Sequence, residues 1–179
     1  MHESEPPLFP VIRPEEPNDH AAIGEVNRLA FGQDNEARLV EALRRSADYI
    51  PQLSLVAQID GRIVGHVLFS PAVIETPERA VPTLALAPMA VHPDYQRRGV
   101  GSALAREGLK ACQELGHGSV VVLGHPGYYP RFGFVPAPPR GIRPPFEVPA
   151  EAFMVCELLP GALAGIHGTV RYPPAFDGV

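Results

Sequence analysis

From Asp19 onward the apolar residues Ile23, Val26, Leu29 and Ala30 recur at intervals of three and four, the spacing that lines one face of a helix. Asp19 supplies an N-cap and Gly32 a stop. A second helix is expected over 35–47, with Leu39, Val40 and Leu43 on one face and Glu41, Arg44 and Arg45 outward. The period then changes to two: Leu53, Leu55, Ala57 and Ile59 alternate with Ser54, Val56 and Gln58. Asp60-Gly61 interrupts, and Ile63, Val64, Val67, Leu68 and Phe69 resume the run. Asp-Gly between two apolar runs signals a hairpin, because both turn positions need positive φ. A third strand runs from Leu84 to Val91 and carries Pro88, whose missing donor predicts a bulge or a splayed edge. Val100, Ala103, Leu104, Ala111, Cys112 and Leu115 form one stripe of a helix over 99–115, stopped by Gly116. Val120 to Leu123 is apolar at every position, the mark of a strand buried on both faces and paired in parallel, across a right-handed crossover, with the strand before the helix. A helical turn over 128–132 and weaker strands over 152–158 and 168–172 complete the order β-α-α-β-β-β-α-β-α-β-β. This is an α/β arrangement in the α+β sense, a mixed sheet with helices on its faces.

The 179 residues suit a single domain over 11–179 behind a loose tail over 1–10. Fifteen basic against twenty acidic side chains leave a net charge of −5, which gives no general footprint for nucleic acid or anionic lipid. No apolar run is long enough to span a membrane, and the start of the chain lacks the basic and apolar pattern of an export signal, so the cytoplasm is the expected compartment. Cys112 and Cys156 lie far apart in apolar segments and read as reduced core residues. Of 22 prolines, eight fall between Pro126 and Pro149 and mark a loop-rich region. No repeat at 20–50 residues is present.

Candidate chemistry concentrates in Gln96-Arg97-Arg98-Gly99-Val100-Gly101-Ser102-Ala103, where two arginines and two glycines precede a helix. Unpaired N–H groups and the positive end of the helix dipole favour an anion there, and glycine lets a phosphate approach the backbone. A Walker loop would need lysine after Gly101, and a dinucleotide fingerprint would need a third glycine where Leu104 stands. Both fail, leaving a tight strand-to-helix turn as the plain alternative. His92 and Asp94 fall far short of a zinc signature, and no metal is expected.

The run from Met89 to Leu104 resembles the acetyl-CoA motif of the GNAT superfamily of N-acetyltransferases, Gln/Arg-x-x-Gly-x-Gly/Ala. Tyr128-Tyr129-Pro130-Arg131-Phe132-Gly133-Phe134 resembles its later Tyr-x-x-x-Gly-Phe element, and Gly124 to Phe134 with the tail from Phe153 to Phe176 looks most like the small bacterial YhbS-like branch. The resemblance covers residues 11–135 well and the remainder weakly. It implies a mostly antiparallel sheet of about 6–7 strands splayed between strands 4 and 5. It implies acetyl-CoA as cosubstrate. The N–H groups of Arg98, Gly99, Val100, Gly101 and Ser102 would hold its pyrophosphate, with Arg97 or Arg98 adding charge, and pantetheine would pair like a strand with Met89, Ala90 and Val91. Gln96, Gly124 and Phe132 belong to the same implied set. Tyr129 falls where a hydroxyl stands beside the coenzyme sulfur and can protonate the leaving thiolate, with Tyr128 as its rival.

The implied reaction is direct transfer of an acetyl group to a primary amine of a small molecule or protein, in a ternary complex. A base is needed only to neutralise an ammonium. His125 stands where many members carry asparagine and is one candidate; His66 and Glu157 are weaker ones that read as structural. Phe31, Asn35, Glu36 and Arg38 with the loop over 136–149 are expected to wall the acceptor side. The alternatives are a non-catalytic acetyl-CoA-binding module, a binder of another phosphate anion, and an interaction protein whose sheet edges form a homodimer.

Overall fold

Asp60 and Gly61 take positive φ, 49° and 76°, the geometry of a two-residue hairpin, and join strand β2 (Ser54–Ile59) to β3 (Arg62–Glu75). The computed structural model describes residues 5–178, so the first four residues of the expected tail lie outside the described residues. Strand β1 (Val11–Pro14) pairs with the outer edge of β2. On the other side β3 forms a long antiparallel ladder with β4 (Ala80–Val91), and both strands extend well past the ends expected at Phe69 and Leu84. Pro71 is accommodated because the opposite edge of β3 carries no ladder there: β2 has ended at the Ser54–Leu68 pair, and β9 (Gly168–Arg171) joins only at Val73.

The parallel contact between β4 and β5 (Ser119–Leu123) is confined to two residue pairs, Leu84 with Val120 and Ala85 with Val121. Beyond them Phe69 faces Leu86 but Val67 faces Met89, so β4 carries one extra residue at Ala87-Pro88. This is the bulge that Pro88 predicted. β5 turns its far edge to β8 (Phe153–Glu157) through five antiparallel pairs, and the two-residue strands β6 (Val135–Pro136) and β7 (Ile142–Arg143) attach to β8 and β9. Among the described residues the mixed, splayed sheet therefore has nine strands where six or seven were expected, the difference being short ladders with little apolar period to show in sequence.

Alternation along the strands separates two helix-backed cores, and a third apolar cluster gathers Ile74, Val121, Phe153, Ile166 and Val170 where the C-terminal strands join. Val67, Phe69, Leu84 and Leu86 meet helix α3 (Val100–Glu114) through Leu104 and Cys112. Val56, Leu68 and Ala90 meet α1 (His20–Phe31) and α2 (Asn35–Arg44) through Ile23, Val26, Leu39 and Leu43. Among the described residues no helix is long and apolar enough to cross a membrane. Helix α2 stops at Arg44, three residues short of the expected end. Asp19 precedes α1 but caps nothing there: its carboxylate accepts from Glu16 N–H at 2.8 Å and from Arg13 at 2.7 and 3.1 Å, pinning β1 to the turn.

A buried polar cluster ties α2 to β3. The Glu15 carboxylate accepts two bonds from Arg44, at 2.8 and 2.9 Å, and one from the Tyr49 hydroxyl. His66, fully buried, lies 4.0 Å from Glu15 and shares a 2.9 Å bond with Ser54. Burial alone would push the Glu15 carboxyl up, but its bonds from Arg44 and Tyr49 bring it down to about 2. Burial holds the His66 imidazole down at about 4.

Two measurements check this packing. A Cβ on Gly108 would run into the buried ring of Phe69. Gly108→Val is therefore expected to destabilise by about 1–3 kcal/mol, beyond any gain in helix propensity, lowering the thermal midpoint by roughly 2–4 °C per kcal/mol. The second is acid denaturation. The unfolded chain protonates His66 near 6.5 and the folded chain only near 4, so stability falls as pH drops through that window; Glu15, depressed to about 2, adds a further loss between about 4.5 and 2. Urea midpoints taken from pH 7 to 4.5 should fall, and His66→Asn should flatten that slope while leaving the lower one.

Candidate active site

Where β4 leaves β5 the sheet opens into a cleft of about 540 Å³. One wall is Leu86, Ala87, Pro88 and Met89 from β4; the facing wall is Leu123, Gly124, His125, Tyr128 and Tyr129 from the end of β5 and the turn after it. Met89, Ala90 and Val91 pair with Val67, His66 and Gly65 on their β3 edge, which leaves the edge toward the cleft without a strand.

At one end of the cleft the chain turns from β4 into α3. Arg97 and Gly99 both take left-handed φ, 61° and 89°, which turns successive N–H groups inward as an anion-binding concavity does. The first helical bond is Ala103 N–H to Gly99 at 3.0 Å, so the N–H groups of Val100, Gly101 and Ser102 lie ahead of the ladder. A Cβ on Gly101 would stand 2.9 Å from the Tyr128 hydroxyl and 3.6 Å from Val91. The side chain of Val100 is buried, leaving only its backbone to face the loop. Gln96 folds back onto the Val91 carbonyl at 3.0 Å. Of the two arginines, Arg98 is engaged by the N-terminal segment: its guanidinium donates to the Pro6 carbonyl at 3.1 Å and lies 3.5 Å from Glu5, while its own carbonyl accepts from Leu8 N–H at 2.8 Å. Arg97 is exposed.

Tyr129 and Tyr128 sit at right angles, 5.2 Å apart, and split the functions of the turn. The Tyr129 ring lies edge-on to Phe134 and fills the space that a Cβ on Gly124 would take, and burial pushes its hydroxyl up to about 12. Tyr128 packs edge-on against Phe132 beneath the Arg131 guanidinium, with its hydroxyl toward the first turn of α3. Phe132 in turn lies under Arg106.

Of the three base candidates only His125 lines the cleft. His66 is enclosed in the Glu15 cluster, and Glu157 accepts from the N–H groups of Gly161 and Leu163 at 3.2 and 3.0 Å, a loop-fastening role. Phe31 and Glu36 line the far end as expected, together with Leu39, and the Pro-rich loop contributes Phe146. Tyr172 and Phe176 complete that wall and were not foreseen; an aromatic pair four residues apart beside Pro173-Pro174 was the only local trace. Asn35 and Arg38 do not line it. Among the described residues no group of three His, Cys, Asp or Glu is placed to hold a metal.

Residues 11–137 match the sequence profile of the acetyltransferase (GNAT) domain. The chain belongs to the GNAT acetyltransferase family. Its relatives include the uncharacterized N-acetyltransferase YhbS of Escherichia coli, 37% identical over 168 residues, covering 93% of this chain and 98% of YhbS. The uncharacterized E. coli N-acetyltransferase YjhQ is 42% identical over 135 residues, 75% of each chain. The crystal structure of YhbS in complex with CoA superposes with a TM-score of 0.86 at 36% identity, covering 98% of this chain and 96% of that one. A GNAT acetyltransferase from Brucella melitensis in complex with acetyl-CoA gives 0.74 at 33% identity, covering 94% and 99%. The GNAT domain thus contains the splay, the α3 loop and the Tyr129 turn, while Phe146, Tyr172 and Phe176 lie beyond its matched span.

Burial raises three of the five tyrosines, Tyr49, Tyr129 and Tyr172, each to about 12. Phenolate absorbance titrated to pH 11 should therefore fall well short of five equivalents and reach them only on unfolding; full ionisation by pH 11 would show that these rings are not enclosed.

Proposed function

We propose that this GNAT domain, spanning residues 11–179, transfers the acetyl group of acetyl-CoA directly to a primary amine bound beside it in the cleft. The observation that carries this reading is the vacated edge of β4 beyond Ala85, where an extended, amide-rich chain such as pantetheine fits as an added strand. The coenzyme also suits the loop: Gly101 lets the Tyr128 hydroxyl lie against the first turn of α3, and the left-handed φ of Arg97 and Gly99 with the free N–H groups of Val100 to Ser102 suits a pyrophosphate. Exposed Arg97 is the residue to add positive charge, since Arg98 is tied to Glu5 and Pro6.

Acetyl-CoA supplies the activated thioester. As the amine forms its new bond to the acetyl carbon, the carbon–sulfur bond breaks, and the proton lost by nitrogen balances the charge left on sulfur. The N–H groups near Ala90 and Val91 polarise the carbonyl. A hydroxyl pushed to about 12 is a weaker acid than a thiol near 8.5, so Tyr129 donates a hydrogen bond to the departing sulfur rather than giving up its own proton. His125, at the cleft wall, takes the proton from an entering ammonium.

Titration calorimetry tests the coenzyme half. Acetyl-CoA should bind the unaltered chain with micromolar affinity, and Gly101→Glu should abolish that binding by placing a carboxylate where the pyrophosphate belongs. Tyr129→Phe should keep coenzyme affinity within about twofold and lower kcat by roughly 10²-fold, the usual scale for losing one hydrogen-bond donor to charge that develops in the transition state. Binding without thiol release from any amine would instead describe a non-catalytic coenzyme module.

A further inference from the structure

The cleft has two ends of different character, and the end away from the α3 loop is aromatic. Phe31 closes it from α1, Phe146 from the Pro-rich loop, and Tyr172 and Phe176 from the C-terminal segment. Phe146 stacks on Tyr172 at 5.9 Å and 22°, and Tyr172 leans on Phe176 at 5.0 Å. Phe31 and Phe146 remain 42% and 44% exposed on this wall, apolar area that an occupant would remove from water. Charge sharpens the picture. Among the described residues lining the cleft the one carboxylate is Glu36, and no lysine or arginine is present. Glu36 is half-buried, and the Gln33 amide donates to both of its oxygens, at 3.0 and 3.2 Å, which orients the carboxylate.

Aromatic faces with a single uncompensated carboxylate attract an ammonium, by ion pairing and by cation–π contact. The same lining disfavours an acceptor that brings its own carboxylate or phosphate, which would be desolvated with no lysine or arginine to meet it and would compete for the His125 imidazole that the transfer uses. A second ammonium on the acceptor would equally lack a partner. Resting on the acetyl-transfer reading above, we infer that the acceptor is an aryl-alkyl monoamine without an acidic group, its ring lying on the Phe146–Tyr172–Phe176 wall and its ammonium drawn in by Glu36. The apolar wall sets the size of the ring-bearing end, and the carboxylate on α2 favours entry of a cation into the cleft.

The test is thiol release at saturating acetyl-CoA with four probes: 2-phenylethylamine, phenylalanine, spermidine and a lysine-containing peptide. Acetyl-CoA binding is measured separately by calorimetry. The expected kcat/KM for 2-phenylethylamine exceeds each of the other three by about 100-fold, within the range that pocket complementarity supplies. Glu36→Gln should raise KM for 2-phenylethylamine about tenfold with little change in kcat or in acetyl-CoA affinity. Phe176→Ala should lower its kcat/KM while leaving coenzyme affinity intact. Comparable rates with phenylalanine, spermidine or the peptide overturn the inference, as does coenzyme binding with no turnover of any probe. Failure to bind acetyl-CoA overturns the transfer reading beneath it.

Discussion

Two residue pairs, Leu84 with Val120 and Ala85 with Val121, are all that join the two halves of the sheet through β4 and β5. Parallel strands joined through a crossover helix ordinarily run together for their full length, and here they part because β4 holds an extra residue at Ala87-Pro88. The candidate site follows from that parting. It vacates a strand edge inside the molecule, places the turn after β5 opposite the α3 loop, and opens the cleft between β4 and β5. The two helix-backed cores tolerate this because tight helix–sheet contact closes them, with Gly65 lying against Leu104 and Val100 on one side and Ala90 meeting the α1–α2 layer on the other.

How much of this was legible in the chain depended on how local the cause was. Asp60-Gly61, Pro88 and the Gly99-x-Gly101 pair each act through the backbone of their own neighbours, and each could be read from a few residues. The Asp19 cap illustrates the limit: the residue type suits a helix start, but Arg13 on β1 competes for the same carboxylate. The outer ends of β3 and β4 were missed because Pro71 and Pro82 break the apolar run, and their tolerance depends on which neighbouring strands are present. The Glu15 cluster was not legible, since it joins Glu15 to positions 29 and 51 residues away with no sequence period: Arg44, expected to face outward, turns in to Glu15, and His66 could be read only as a structural histidine. Tyr172 and Phe176 were hidden for the same reason, reaching the cleft from the other end of the chain.

The site is thereby divided by the kind of structure that builds it. Under the proposed function the coenzyme half belongs to β4, β5 and the first turn of α3, elements fixed by ladders and cores. The acceptor half would be assembled from the end of α1, the start of α2, a proline-rich loop and the C-terminal segment, the last two joined at the cleft by aromatic contacts. Substitution on that wall can alter what is accepted while the donor site keeps its geometry, which is how one chemistry serves many substrates on one fold.

The interrupted ladder also bears on how the protein is maintained. A sheet whose interior edge lacks a partner strand is an incomplete folding unit, and under the proposed function the donor molecule is the piece that completes it. A ligand that binds only the native state stabilises it by mass action, by about 2.7 kcal/mol at one hundred times its dissociation constant. The cellular pool of acetyl-CoA would then set the lifetime of this protein as well as its turnover, and a fall in that pool would leave the two unmatched strand edges open to proteolysis and to pairing with other chains.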